Sequence, residues 1–268
     1  MTTEELQRAR RFAEKLVVRG GTSALKAMDT VKVVDETHGA DVTTDADKAI
    51  EQEMRRRIVK EYPAHAICGE EGGGELRDEP TWFLDPIDGT AAYARHFPLF
   101  CSVAALQIGM DVVVGAVYNP MTKELFSAAK GLGASCNGSP INVAATATLD
   151  HATIVATNPR LDNLDRFQRT TALWEKLFRS SFRVRDFGNH NLSLSWVAKG
   201  SVDALVHTVG LKKGWWDCAA GICIALEAGA EVVDFNGQPF TVAHAKEPFI
   251  AASPVIADQL LVLVDNKN

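Results

Sequence analysis

From Ala66 onward the chain is written in short apolar runs. AHAICGE, TWFLDP, SVAALQIG and DVVVGAVYNP follow one another, each bounded by Gly, Pro, Asn or Asp. Runs of that length with that punctuation read as strands of a sheet. ELFSAAKGLGASCNGSPINV continues the pattern as hairpins, with Asn137-Gly138 as a turn. A sheet of this kind buries its faces against other layers, so the flanking sequence must supply cover.

The flanks read as helices. Leu6, Ala9, Phe12, Ala13, Leu16 and Val17 recur at helical spacing after Thr2 and Thr3, with Glu4 and Glu5 at the positive end. Gly20-Gly21 either ends that helix or bends it. A second helix is expected from about Thr44 to Glu61, with Ala46, Ile50, Met54 and Ile58 on one face. VVDETHGADVTT between them is a hairpin or a loop. Further along, LDNLDRFQRTTALWEKLFRS is a helix whose buried side is Leu164, Phe167, Leu173, Trp174, Leu177 and Phe178. VRDFG is a strand end, LSLSWVAKG a helix ending on Gly200, VDALVHTV a strand, and WDCAAGICIALEAG a helix stopped by Gly229. AEVVDFNGQPF is a hairpin, FIAAS a strand, and PVIADQLLVLVD a closing helix. The fold class is therefore α/β (α+β), layered, with an N-terminal α+β half about 1–145 and a C-terminal α/β half about 146–268.

Composition narrows the function. The 268 residues can bury a sizeable core, and 46% hydrophobic with 23% charged is ordinary for a globular protein. The formal net charge of -6 gives no footprint for nucleic acid and no pull toward an anionic membrane. An anionic substrate then needs a local source of attraction, and a bound cation is the obvious one. No apolar run reaches the length of a membrane span, and MTTEELQRAR lacks the apolar core of a secretory signal. Cys68, Cys101, Cys136, Cys218 and Cys223 are odd in number and without CxxC spacing. They read as reduced core residues of a cytoplasmic protein, and not as a zinc site.

The chemistry lies in three acidic segments: CGEEGGGE with Glu70 and Glu71, FLDPIDGT with Asp85 and Asp88, and GWWDCAAG with Asp217. Loops at strand ends are where layered α/β folds place their sites. An all-oxygen donor set selects a hard cation, and carboxylates that leave room for water suit Mg²⁺. In DPIDGT, Pro86 stiffens the turn, Asp85 and Asp88 can face one point, and the Ile87 carbonyl is also available. Gly89 permits close approach, and Gly89-Thr90 begins a short helix, AAYARHF, whose first N–H groups suit phosphate. Two cations bridged by Asp85 would polarise a phosphoryl oxygen, generate hydroxide and stabilise the leaving oxygen. Helix capping is the competing explanation for Asp88 and Asp217, and a solvated loop edge for Glu70-Glu71. Thr44-x-x-Asp47 has the spacing of a capping box, which assigns Asp47 to capping.

GEEGG, WFLDPIDGTAAYARHFPLFCSVAAL and WDCAAGICIALEAGAEVVDFNGQPF resemble the inositol monophosphatase family, within the lithium-sensitive, Mg²⁺-dependent phosphatases. The resemblance covers nearly the whole chain and implies a layered αβαβα fold, commonly a homodimer. It implies two or three Mg²⁺ ions per site. Glu70, Asp85 and the Ile87 carbonyl would hold the first, and Asp85, Asp88 and Asp217 the second. A third would lean on Glu70 and water, with Glu71 supporting the set without touching an ion. Thr90 and Asp47 would orient the attacking water, which overrides the capping assignment of Asp47. The Gly89 and Thr90 N–H groups would hold the phosphate. The implied reaction is in-line attack of water on a phosphate monoester, most simply inositol 1-phosphate, with Li⁺ competing at the second ion.

The substrate side departs from the family pattern. The lysine that usually precedes D-x-V-T-x-x-D is missing from DETHGADVTTDAD, where Asp41 and Asp47 are in place. The small residue beside the inositol ring falls on His190, and the ring-binding glutamate on His207. GLKKGWWD is about two residues longer than the usual loop and carries Lys212 and Lys213. A glutamate accepts from ring hydroxyls, whereas a neutral histidine accepts through one nitrogen. Lysines there would favour a second anionic group. The alternative places these four side chains on the surface with no substrate role. Competing functions are a histidinol-phosphate, fructose-bisphosphate or other sugar-phosphate phosphatase, and a regulatory binding protein on the same fold.

Overall fold

In the structure, a computed structural model, residues 1–37, 41–75, 78–159, 161, 163–208 and 214–264 are described. Helix α1 (Thr3–Ala27) opens on a capping box, Thr2 N–H donating to Glu5 and Glu5 N–H to the Thr2 hydroxyl. It runs unbroken through Gly20-Gly21, where glycine serves packing, since a larger residue would not fit. A Cβ on Gly20 would lie 2.4 Å from Ser102 Oγ and one on Gly21 2.8 Å from the Tyr118 ring. VVDETHGADVTT forms a two-stranded antiparallel pair, β1 (Val33–Thr37) with β2 (Asp41–Thr44), and α2 (Asp45–Glu61) follows directly.

The next seven strands make one sheet, in sequence order across its width. They are β3 (Ala66–Gly69), β4 (Thr81–Asp88), β5 (Cys101–Ile108), β6 (Asp111–Asn119), β7 (Glu124–Ala129), β8 (Ala134–Cys136) and β9 (Ser139–Pro140), with the one-turn helix α3 (Thr90–Tyr93) between β4 and β5. Only β3 and β4 are parallel; every later neighbour is antiparallel. A second sheet has the order β11-β10-β12-β14-β13. Its members are β10 (Thr153–Ala156), β11 (Arg183–Arg185), β12 (Ala204–His207), β13 (Glu231–Asp234) and β14 (Phe249–Ala252). Between these strands run α4 (Leu164–Ser180), α5 (His190–Ala198) and α6 (Ala219–Glu227), and α7 (Pro254–Val264) closes the chain.

The layers are α1 and α2, the seven-stranded sheet, α5 and α6, the five-stranded sheet, then α4 and α7. This is the αβαβα sandwich. The middle helices are apolar nearly all round because both faces are covered: Leu192, Leu194, Val197, Ala219, Ile222 and Ile224 are all buried. A carboxylate also ties the layers. Glu227, at the end of α6, accepts the N–H groups of Gly131, Leu132 and Gly133 in the β7–β8 turn.

Three expectations are corrected. The apolar stripe expected along α4 is wider than its contact. Leu177 and Thr170 are buried, but Leu164 is 62% and Phe178 59% exposed. An outermost helix touches the sheet along a narrow line only. AAYARHF is helical only to Tyr93, because His96 takes a left-handed φ of 57° and the Phe97 N–H folds back to the Ala92 carbonyl. The return arm of AEVVDFNGQPF is a single bridge, Val233 to Pro239, instead of a strand. All five cysteines are free and buried. Among the described residues no helix is long and apolar enough to cross a membrane.

Candidate active site

The acids of DPIDGT meet through a β-bulge. In a regular strand residues three apart point to opposite faces. Here Asp85 pairs with Val103 and Asp88 with Cys101, so three steps on β4 oppose two on β5. The extra residue returns both acids to one side and accommodates Pro86, which could not donate to a regular ladder. Asp85 Oδ1 accepts the Ile87 N–H at 3.1 Å, which tightens the bend. Gly89 then needs its left-handed φ of 93°, and a Cβ on it would lie 2.6 Å from the Leu99 carbonyl. It is the N-cap of α3, and the first N–H groups of that turn have no intrahelical acceptor.

Asp85 is only 1% exposed. Its carboxyl is pushed well above the usual range, first by burial and then by the charges of Glu70, Asp88 and Asp217. A hydrogen bond with Glu70 adds to the rise. Asp217 arrives on a single 3-10 turn, Trp215–Asp217, packed against β4. Capping does not account for the acids. The N-caps of α3 and α6 are Gly89 and Cys218, and neither makes a side-chain cap.

Asp47 carries out the capping and more. Its Oδ2 accepts the Thr44 N–H at 2.9 Å and also the Thr44 hydroxyl, while the Thr44 Oγ1 receives the Asp47 N–H. The other oxygen, Oδ1, faces Thr90 Oγ1 at 3.3 Å, and that hydroxyl lies 2.9 Å from the Ile87 carbonyl. Burial raises Asp47 to about 6, with Glu70 adding to the effect against the Thr44 hydrogen bonds. Burial likewise raises Glu71 to about 7, with Asp47, Glu70 and Glu51 adding to it.

His190 and His207 come together, their rings edge to face with centroids 4.4 Å apart. His207 is buried, shares a 2.8 Å hydrogen bond with Thr157 Oγ1 through Nδ1, and packs on Phe249. His190 opens α5, between two asparagines that both touch Asp88. Lys212 and Lys213 lie outside the described residues.

Spacing gave no sign of two groups that shape the site. Glu51 on α2 is 1% exposed. Its carboxylate accepts the N–H groups of Glu71 and Gly72 at 2.8 Å and pairs with Arg55 at 2.6 Å. Arg55 in turn donates to the Gly73 carbonyl. In sequence this pair looks like any exposed i,i+4 ion pair. The other group is Asn189 and Asn191, whose only sequence signal is an asparagine before a helix start.

The donor set suits a hard divalent ion: carboxylates, a carbonyl and a hydroxyl, with no thiolate or imidazole among Glu70, Asp85, Ile87, Asp88, Thr90 and Asp217. Among the described residues no three acidic, His or Cys side chains converge tightly enough to cage an ion alone. Mg²⁺ does not require that, since it keeps several waters and takes one or two carboxylates plus substrate phosphate oxygens.

Residues 5–267 match the model of the inositol monophosphatase family. Inositol monophosphatase 1 of Solanum lycopersicum is 34% identical over 249 residues, covering 87% of this chain and 90% of that one. The inositol monophosphatase of Anabaena (Nostoc) sp. PCC 7120 superposes with a TM-score of 0.84 at 30% identity, over 97% of this chain and 96% of that chain. An IMPase/NADP phosphatase solved with Mg²⁺ and phosphate gives a TM-score of 0.82 at 25% identity, over 98% and 97% of the two chains.

Proposed function

Because this chain belongs to the inositol monophosphatase family and is a phosphoric monoester hydrolase, we propose that it works with Mg²⁺ held by the acids around Asp85. The observation that carries the metal assignment is Asp85 itself, buried among Glu70, Asp88 and Asp217, with its carboxyl held well above the usual range by burial and by those neighbouring charges. Glu70, Asp85 and the Ile87 carbonyl would hold one ion, and Asp85, Asp88 and Asp217 a second; a third would lean on Glu70. When bound, such ions activate water, polarise the phosphoryl oxygens and neutralise the leaving oxygen. The phosphatase found with Mg²⁺ and phosphate supports the choice of metal.

The chain's own groups do the rest. The N–H groups of Gly89 and Thr90 receive the phosphate. Thr90 Oγ1 has one proton and two acceptors, Asp47 and the Ile87 carbonyl. With that proton committed, its lone pair is left to accept from the attacking water and fix its direction. Asp47 holds Thr90 in that role, and Glu71 stands behind Glu70. The alcohol leaves on the side of Asp88 and Asp217, and no covalent intermediate forms on the protein. Li⁺ sensitivity and a cytoplasmic homodimer belong to the same reading, supported by the family resemblance and the five buried thiols.

Inositol 1-phosphate is the substrate this reading favours. A second reading, another sugar phosphate or histidinol phosphate, rests on the pair His190 and His207, which offers fewer acceptors to ring hydroxyls than a carboxylate does. Phosphate release from inositol 1-phosphate, histidinol phosphate, fructose 1,6-bisphosphate and an aryl phosphate separates them. Inositol 1-phosphate is expected to exceed the aryl ester by roughly tenfold or more in kcat/KM, one well-placed polar contact being worth that much. Equal rates would remove the inositol assignment and leave the hydrolase.

A further inference from the structure

Asn191 is fully buried at the start of α5, and its side-chain amide is saturated. Nδ2 donates to Asp88 Oδ2 at 2.9 Å and to the Trp216 carbonyl at 3.0 Å. Oδ1 accepts the Gly221 N–H at 3.0 Å. The orientation of the amide is fixed by its partners, since a carbonyl only accepts and a peptide N–H only donates. Gly221 lies in the first turn of α6, where N–H groups have no partner within the helix. Trp216 directly precedes Asp217. One planar group therefore spans Asp88, the backbone beside Asp217, and the helix that follows it. Asn189 adds a second hold on the same acid, its Nδ2 donating to the Asp88 carbonyl at 2.9 Å.

We propose that Asn191 is a positioning residue that sets the separation of Asp88 and Asp217 and so the affinity for the second divalent ion. This rests on the metal-dependent reading of the site. No neutral apolar residue could replace it, since the Trp216 carbonyl and the Gly221 N–H would lose their partners in a dry interior. A carboxylate there could not donate to either oxygen.

A purely structural cap would make different predictions, and Ser195 separates the two. Its hydroxyl donates to the Asn191 backbone carbonyl at 2.7 Å, so Ser195→Ala removes a buried hydrogen bond from the same turn of α5 without touching Asp88. Mn²⁺ titrations followed by electron paramagnetic resonance, in the presence of inorganic phosphate, are compared for the full chain, Asn191→Ala and Ser195→Ala. Asn191→Ala is expected to weaken the weaker Mn²⁺ site by roughly 10–100-fold, the usual effect of removing a partner of a metal ligand. The Mg²⁺ concentration for half-maximal phosphate release should rise in parallel, and Ser195→Ala should shift neither. If Asn191→Ala loses thermal stability but keeps the wild-type Mn²⁺ isotherm, the residue is only a cap and the inference is overturned. Should that variant not fold, Asn191→Ser, which keeps one donor, carries the same comparison with the same two outcomes. Unaltered protein that binds no Mn²⁺ and releases no phosphate overturns the metal reading itself, and the inference with it.

Discussion

Asp85 is where the cost of the site is concentrated. A carboxyl group at 1% exposure, facing three others, is held well above the usual range, and a cation beside it would favour its charged form. Replacing it with a neutral group of the same shape removes that conflict and would also remove the bridge proposed between two ions. Asp85→Asn is expected to raise the melting temperature without divalent ions, by about 2–4 °C for each kcal/mol of relieved repulsion. Turnover is expected to fall by roughly 10³-fold or more, several kcal/mol of transition-state stabilisation being lost. Calorimetric scans with chelator and phosphate-release rates check both; undiminished turnover would dismiss the bridging role. The neighbouring groups give a pH signature. Asp47 and Glu71 titrate at about 6 and about 7 in the folded chain, against 3.8 and 4.5 without it. The folded, metal-free protein thus holds protons that the unfolded chain has released. Its stability from these groups is greatest at low pH and declines as pH rises from about 4 to about 7. Mg²⁺ entering the site should expel those protons, on the order of one per site at pH 6 and fewer at pH 8. Titration calorimetry in two buffers of unlike ionisation heat measures this, and equal proton counts at both values would contradict it.

At the scale of elements, the loop after β3 is as well built as any helix. Glu51 holds its backbone through Glu71 and Gly72, while Arg55 reaches the Gly73 carbonyl. Glu51→Ala strips the Glu71 and Gly72 N–H groups of their acceptor and leaves Arg55 without its nearest anion. A loss of roughly 1–3 kcal/mol is expected in urea unfolding, as two backbone N–H groups lose a charged acceptor. A surface ion pair would cost under about 1 kcal/mol, so a small change would show the brace to be idle. The strands were legible in the sequence because each is a short apolar run ended by a turn residue, and the outer helices because apolar residues recur along them at helical spacing. The brace was not, because Glu51 and Arg55 have the spacing of a solvated pair and only the tertiary fold buries Glu51. The same reason hid the exposure of Leu164 and Phe178: a period marks an apolar stripe but not how wide a surface will cover it.

Across the whole molecule, the site forms where both sheets and the middle helices meet. Asp47 comes from α2, Glu70 from the loop after β3, Asp85 and Asp88 from the bulged end of β4, and Asp217 from the turn before α6. Glu70, Asp85, Asp88 and Asp217 were readable because each sits near a glycine at a strand or helix boundary, whereas Asp47 read as a helix cap. Their convergence was readable only through family resemblance, since no spacing rule brings residue 47 to residue 90. Asn191 shows the limit most clearly: three contacts, all to residues distant in sequence, around a side chain that looks like ordinary helix-start polarity. The direct test is a crystal soaked with Mn²⁺ and inorganic phosphate, with the ions located by anomalous scattering. The account predicts one peak in reach of both Glu70 and Asp85, and a second shared by Asp85, Asp88 and Asp217, with phosphate against the start of α3. Phosphate bound there with no peak beside Asp85, or peaks only elsewhere on the chain, would contradict it.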